Sequence, residues 1–151
     1  MTTAPSAAST STRATGAVSW KSTALAGGIG AVGGLVINSL IAWAGRGLFD
    51  VPATFQPLTL PVYGFLTVVG ALVGAIGWHL IATRSRQATR LLTWLVPTVV
   101  VLSLIPDLML LADKSSQPGT TTAGVIALML MHVGVAAAAV PAYRRFIAPQ
   151  S

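Results

Sequence analysis

The chain contains no cysteine. Disulfides, thiolate metal sites and thiol redox chemistry are therefore ruled out. Charge is nearly as scarce, at 8% of 151 residues, and the acids number only three. A soluble domain of this length carries about a quarter charged residues, so the composition is not that of a water-soluble fold. No segment alternates apolar and polar residues with period two, which argues against a membrane barrel. P-loop, Rossmann, Ser-His-Asp and metal-ligand motifs are missing. The fragment "GGIGAVGG" lies inside an apolar run and follows no strand, so it is no phosphate cradle. The net charge of +6 and pI near 11.3 come from nine Lys and Arg that form no stripe with interleaved aromatics. Nucleic acid is thus not an expected partner.

What the chain has is apolar length. Hydrophobic residues make up 54%, and mean hydropathy is +0.78. Four runs stand out, near residues 23–44, 62–82, 91–111 and 121–140. Each is about 20 residues, and at about 1.5 Å rise per residue each spans a hydrocarbon core of about 30 Å. Backbone in lipid must satisfy its own hydrogen bonds, so these are expected helices. The predicted fold is all-α, a four-helix integral membrane bundle occupying residues 21–146. "MTTAPSAASTSTRATGAVSW", residues 1–20, is rich in Ser, Thr and Ala without apolar periodicity and reads as a disordered tail. Residues 147–151 form a second, short tail. Ala42 and Ala44 make an A-x-A pattern, yet the preceding run is too long for a signal h-region, so cleavage is not expected.

Basic residues set the orientation. Arg13, Lys21, Arg84, Arg86, Arg90, Arg144 and Arg145 fall on one side; Arg46 and Lys114, accompanied by Asp50 and Asp113, fall on the other. Positive residues mark the cytoplasmic side, so both termini are expected inside the cell, with loops 45–61 and 112–120 outside. The same residues give a secondary attraction to anionic lipid. Trp20, Trp43, Tyr63, Trp94 and Tyr143 lie near span ends, where amphipathic rings favour the interface. Pro52, Pro57 and Pro61 bar a regular helix from the outer loop, which is expected to lie extended along the membrane surface.

Small residues suggest how the spans pack. Ala26, Gly30, Gly34, Asn38 and Ala42 recur every four residues, and Gly70 and Gly74, with Ala71 and Ala75 beside them, offer similar packing faces on the second span. Such rows let backbones approach closely. Intramolecular packing is the simpler use of them, ahead of a dimer face. Asn38 shares its row and reads first as an interhelical tie, second as a ligand-binding group.

Intramembrane polar groups are few: Asn38, Ser103, Asp107 and His132. Asp107 follows Pro106 in "SLIPDLMLLADK" and lies roughly 6 Å from the outer end of its span by helix rise. Ser103 is one turn back. His132 lies near the midplane. Straight-helix arithmetic separates Asp107 and His132 by about 10 Å in depth, so an outer cluster of Asn38, Ser103 and Asp107 is expected rather than an Asp–His pair. His132 then reads as a neutral, buried tie between helices. His79 reads as interfacial. It differs from His132 by about 7 Å in depth, so bis-histidine haem ligation is not expected. No cofactor or metal is implied.

"LVINSLIAWAGRGLFDVP", a span ending "HLIATRSR", and "TTTAGVIALMLMHVGVAAAAVPAYRR" together resemble a family of small four-span bacterial membrane proteins, mainly actinobacterial, known only as a domain of unknown function. The likeness covers about residues 22–146, and its most particular positions are Asn38, His132 and Pro141. It implies a four-helix membrane bundle and no activity. The expected role is a non-enzymatic structural or interaction subunit in the cell membrane, its partners being the bilayer and either copies of itself or another membrane protein. The second reading is a small transporter or channel for a proton, cation or small solute, using Asp107, Asn38 and His132.

Overall fold

The computed structural model describes residues 18–149, so most of the expected N-terminal tail lies outside the described residues, as do residues 150 and 151. Five helices build the four spans. They are α1 (Trp20–Leu48), α2 (Leu60–Arg84), α3 (Ala88–Ser103), α4 (Ile105–Ala112) and α5 (Thr122–Phe146). α1, α2, the α3–α4 pair and α5 are each long and apolar enough to cross a membrane. The fold is an all-α, four-span bundle.

Helix ends follow local chemistry. Ser19 caps α1 by accepting from the Ser22 N–H at 3.2 Å, and Thr121 caps α5 by accepting from Gly124 N–H at 3.0 Å. Pro61 occupies the first turn of α2, where a missing N–H costs nothing. The third span is not one straight helix. Pro106 cannot donate to the carbonyl four residues back, and its ring crowds that carbonyl. The helix breaks at Leu104, whose N–H closes a tighter turn on Val101 O at 3.1 Å, and α4 restarts from Leu108 N–H to Leu104 O at 2.9 Å.

α1 is the central helix, packed most extensively on α5 and then on α2. Its buried row is Ala26, Gly30, Gly34, Asn38 and Ala42, with Thr23, Gly27, Ala31 and Gly45 beside it. A methyl group on Gly30 would meet the Ala139 side chain at 3.0 Å and its Cα at 3.1 Å, so the row sets the α1–α5 distance. The buried α2 face runs through Ala71 and Ala75 of the expected small residues and leaves out Gly70. Tyr63, Thr67, Ala71, Ala75 and His79 recur every four residues and are all buried. Gly74 receives the Tyr143 ring, whereas a methyl group on Gly70 would meet nothing within 4 Å.

Two apolar clusters close the bundle. The inner one joins Ala26, Ala75, Trp78, Leu92, Ala139, Tyr143 and Ile147. Trp78 Nε1 donates to Ile147 O at 3.0 Å, and the Tyr143 hydroxyl donates to Ala71 O. Tyr143 is therefore buried and not the interfacial ring its position suggested, while Trp20, Trp43 and Trp94 are exposed. His79, expected near the span end, is buried against the first turns of α1. Its Nδ1 lies 2.7 Å from Thr23 Oγ1, and its ring stacks on Trp20 at 4.1 Å. Thr23 donates to Ser19 O at 3.1 Å, so His79 Nδ1 carries the hydrogen in their contact.

The outer cluster corrects the expected extended loop. Val51, Phe55 and Leu58 are buried against Ala127, Leu128 and Met131, with a 3-10 turn at Gln56–Leu58. Asp50 turns the chain inward at φ +50°, a conformation Asp tolerates better than most residues. The prolines do prevent a regular helix, but Val51, Phe55 and Leu58 draw the loop down as a cap.

Candidate functional site

A cavity of about 770 Å³ lies below this cap. Its wall combines Asn38 of α1, Tyr63, Thr67 and Gly70 of α2, Pro106 and Asp107 of α4, and Leu128, Met131 and His132 of α5. Ser116 and Gln117, from the loop between α4 and α5, complete it. Most of the lining is apolar.

Each polar group is placed by a packing event. Asn38 sits on the tight face of α1, is only 2% exposed, and donates from Nδ2 to Thr67 Oγ1 at 2.8 Å, tying α1 to α2. Beside it, Tyr63 OH and Ser39 Oγ are 3.2 Å apart. Asp107 is 5% exposed in the first turn of α4. The restart of the helix after Leu104 directs it toward α5.

There Asp107 Oδ2 comes within 3.1 Å of His132 Nδ1. The expected separation in depth, and with it the absence of a carboxylate at the level of His132, is overturned. Depth counted by helix rise holds only for straight helices that end in one plane. In fact α5 extends from Thr122 to Met131 above His132, with Gly124 against the Phe55 ring, while α4 ends at Ala112, soon after Asp107. The outer cap encloses the extra turns of α5.

His132 is not a fully buried tie either, since its side chain is 37% exposed. Its Nδ1–H donates to Leu128 O at 2.9 Å, one turn back on α5. A carbonyl only accepts, so Nδ1 holds the hydrogen in this contact and Nε2 is the free ring nitrogen. That hydrogen points along the carbonyl, so Asp107 Oδ2, though close, receives no hydrogen bond from it. Among the described residues, Oδ2 is a buried acceptor without a donor, and so are Asn38 Oδ1 and Gln117 Oε1. All three belong to residues of this one cavity.

Ser103 stands apart. Its hydroxyl donates to Val100 O at 2.7 Å at the helix break, and it does not line the cavity. The structure thus brings together Asn38, Asp107 and His132. It adds Thr67, Tyr63 and Gln117, which the sequence reading passed over. Thr67 and Tyr63 could have been found from their four-residue row with Ala71 and Ala75; nothing local marks Gln117. No group of three or more His, Cys, Asp or Glu able to hold a metal occurs among the described residues.

The profile of a family of unknown function, DUF6069, matches residues 18–149, and the chain belongs to that family. No curated protein and no solved structure matches it.

Proposed function

We propose that this DUF6069 protein is a non-enzymatic, multi-pass protein of the bacterial cell membrane that binds a cation at Asp107 and exchanges it for a proton. One observation carries the reading: Asp107 is buried beside His132 on a cavity wall, yet its Oδ2 has no hydrogen-bond donor. An unsatisfied buried acceptor costs about 1–3 kcal/mol, more when charged. A subunit that served only as scaffold would gain by an apolar residue there, so the retained acid favours a binding role over the purely structural one. Intramembrane acids commonly mark ion or substrate pathways.

The exchange follows from the pair. With His132 protonated at Nε2, the imidazolium neutralises Asp107 and the site carries no net charge. An entering cation supplies that charge instead, and the proton on Nε2 leaves to water. Only one of the two cations is needed at a time, which is the requirement for coupled exchange. The cavity resides within a single chain, so an oligomer is not needed to form it, although copies of the chain or another membrane protein remain natural partners of the outward apolar faces.

The test is a proton-flux measurement. Protein in liposomes containing a pH dye should show proton counterflow when a gradient of sodium, potassium or an organic ammonium is imposed. Asp107→Asn should abolish it. Counterflow that persists in Asp107→Asn, or none with any of these cations, would overturn the proposal.

A further inference from the structure

We infer that the cation is an amphipathic primary ammonium, with an apolar chain on the nitrogen, and that it reaches Asp107 sideways from the lipid between α2 and α4. The inference rests on the cavity being a cation site and names the class of cation.

Three features select that class. First, the buried groups without partners are all oxygen acceptors: Asp107 Oδ2, Asn38 Oδ1 and Gln117 Oε1. A primary ammonium has N–H donors to offer and a positive charge for the one carboxylate. Terminal torsions of Asp, Asn and Gln are broad, so small rotations present these oxygens to the ligand. Second, the wall between them is Val62, Leu66, Leu128, Met131 and Val135. A naked sodium or potassium ion gains nothing from such a wall, which offers no dipoles in place of its hydration shell. Third, about 770 Å³ is far larger than an ion and falls in the range of small-molecule sites, about 300–1,000 Å³.

The route follows from packing. α4 packs on α5 and makes no extensive contact with α2. Leu66 and Gly70 on α2, and Pro106 on α4, line the cavity and are also exposed on the outer surface of the bundle. The gap between the helices therefore opens at the depth where lipid chains would lie. Titratable groups facing the ligand are Asp107 from α4, His132 from α5 and Tyr63 from α2; α1 and the outer loop contribute Asn38, Ser116 and Gln117, none of which titrates.

The ammonium could belong to a free alkylamine or to an aminophospholipid. The experiment separates them. Full-length protein in phosphatidylcholine nanodiscs is titrated with methyl-, butyl- and octylammonium, with octyltrimethylammonium and with potassium, and binding is read from intrinsic tryptophan fluorescence. Parallel discs contain phosphatidylethanolamine. The expected result is affinity that rises at least tenfold from methyl- to octylammonium, falls at least tenfold on replacing the N–H hydrogens with methyl groups, and is lost in Asp107→Asn. Gly70→Leu places bulk in the gap, and its Cβ meets nothing within 4 Å. It should weaken octylammonium at least tenfold while leaving the melting temperature unchanged. Competition by phosphatidylethanolamine would identify the lipid as the source, and no competition the free amine. Asp107-dependent binding of potassium without any gain from chain length would overturn this inference and leave the cation-exchange proposal standing. No Asp107-dependent binding of any probe would remove both.

Discussion

At the scale of single residues, Asn38 and Asp107 each keep a buried oxygen without a donor but are held differently. Asn38 Nδ2 donates to Thr67, whereas Asp107 Oδ2 lies beside His132 without a hydrogen-bond donor. Removing them should therefore move stability in different directions. Asn38→Leu breaks the tie to Thr67 and should cost about 0.6–2 kcal/mol, the usual range for such bonds in membranes. Asp107→Leu deletes an unsatisfied acceptor, and His132, partly exposed, keeps its bond to Leu128 O. Stability should be unchanged or rise, because buried ionic pairs replaced by apolar residues often gain. Melting of both variants in one mild detergent checks this; a loss in Asp107→Leu as large as that in Asn38→Leu would mean the acid is structural. The sequence made both residues conspicuous, since polar groups in apolar runs are few. Their pairing was not legible. Asp107 meets His132 only because the chain bends at Leu104 and because α5 begins well above the level of α4, and neither offset can be counted along a straight helix.

At the scale of elements, the four apolar runs were plain in the sequence because bilayer thickness fixes their length. The row Ala26–Gly30–Gly34–Asn38–Ala42 was equally plain from its spacing. Gly70 misled, because small residues also occur where a helix borders open space. These two kinds of glycine should respond differently to bulk. Gly30→Leu pushes against the Cα of Ala139, which cannot rotate aside, and should cost about 1–3 kcal/mol or prevent folding. Gly70→Leu should be tolerated. Detergent melting of the pair distinguishes packing face from opening. The helix break should respond to its own cause: Pro106→Ala restores an N–H and removes a steric clash. Amides at residues 104–106 should then gain hydrogen-exchange protection, while counterflow dependent on Asp107 falls as the carboxylate turns from His132. Unaltered exchange would place the cause of the break elsewhere. Outside the spans, Asp113 accepts from the Ser115 hydroxyl at 2.5 Å and N–H at 3.0 Å, and these bonds hold its carboxyl below the usual 3.8. A group whose pKa is lowered on folding stabilises its turn above the ordinary value and loses that contribution as pH falls through the lowered one. The Ser115 amide resonance should therefore titrate with a midpoint below 3.8, and in Asp113→Asn it should not titrate.

At the scale of the whole molecule, four antiparallel spans return the chain to the side it started from. Lys21 at the start of α1, Arg84, Arg86 and Arg90 around the turn from α2 to α3, and Arg144 and Arg145 at the end of α5 thereby gather at one end. Arg46, Asp50, Asp113 and Lys114 gather at the other, beside the apolar cap over the cavity. Moving a basic cluster across the membrane during insertion is disfavoured, so the six-residue basic end should stay cytoplasmic. The cavity would then lie in the outer leaflet half, with its lateral gap facing lipid from that side. Because the chain has no cysteine, single cysteines can be introduced with no background to remove. Thr54, Ser116 and Gln87 are all exposed in loops. In intact cells, an impermeant maleimide should label Thr54→Cys and Ser116→Cys and should label Gln87→Cys only after lysis. The reverse pattern would place the cap and the Asp107 cavity toward the cytoplasm. The proton leaving His132 would then be released inward, and the direction of the proposed exchange would invert. Labelling at both ends in intact cells would mean that the chain inserts in two orientations despite six basic residues at one end against two at the other.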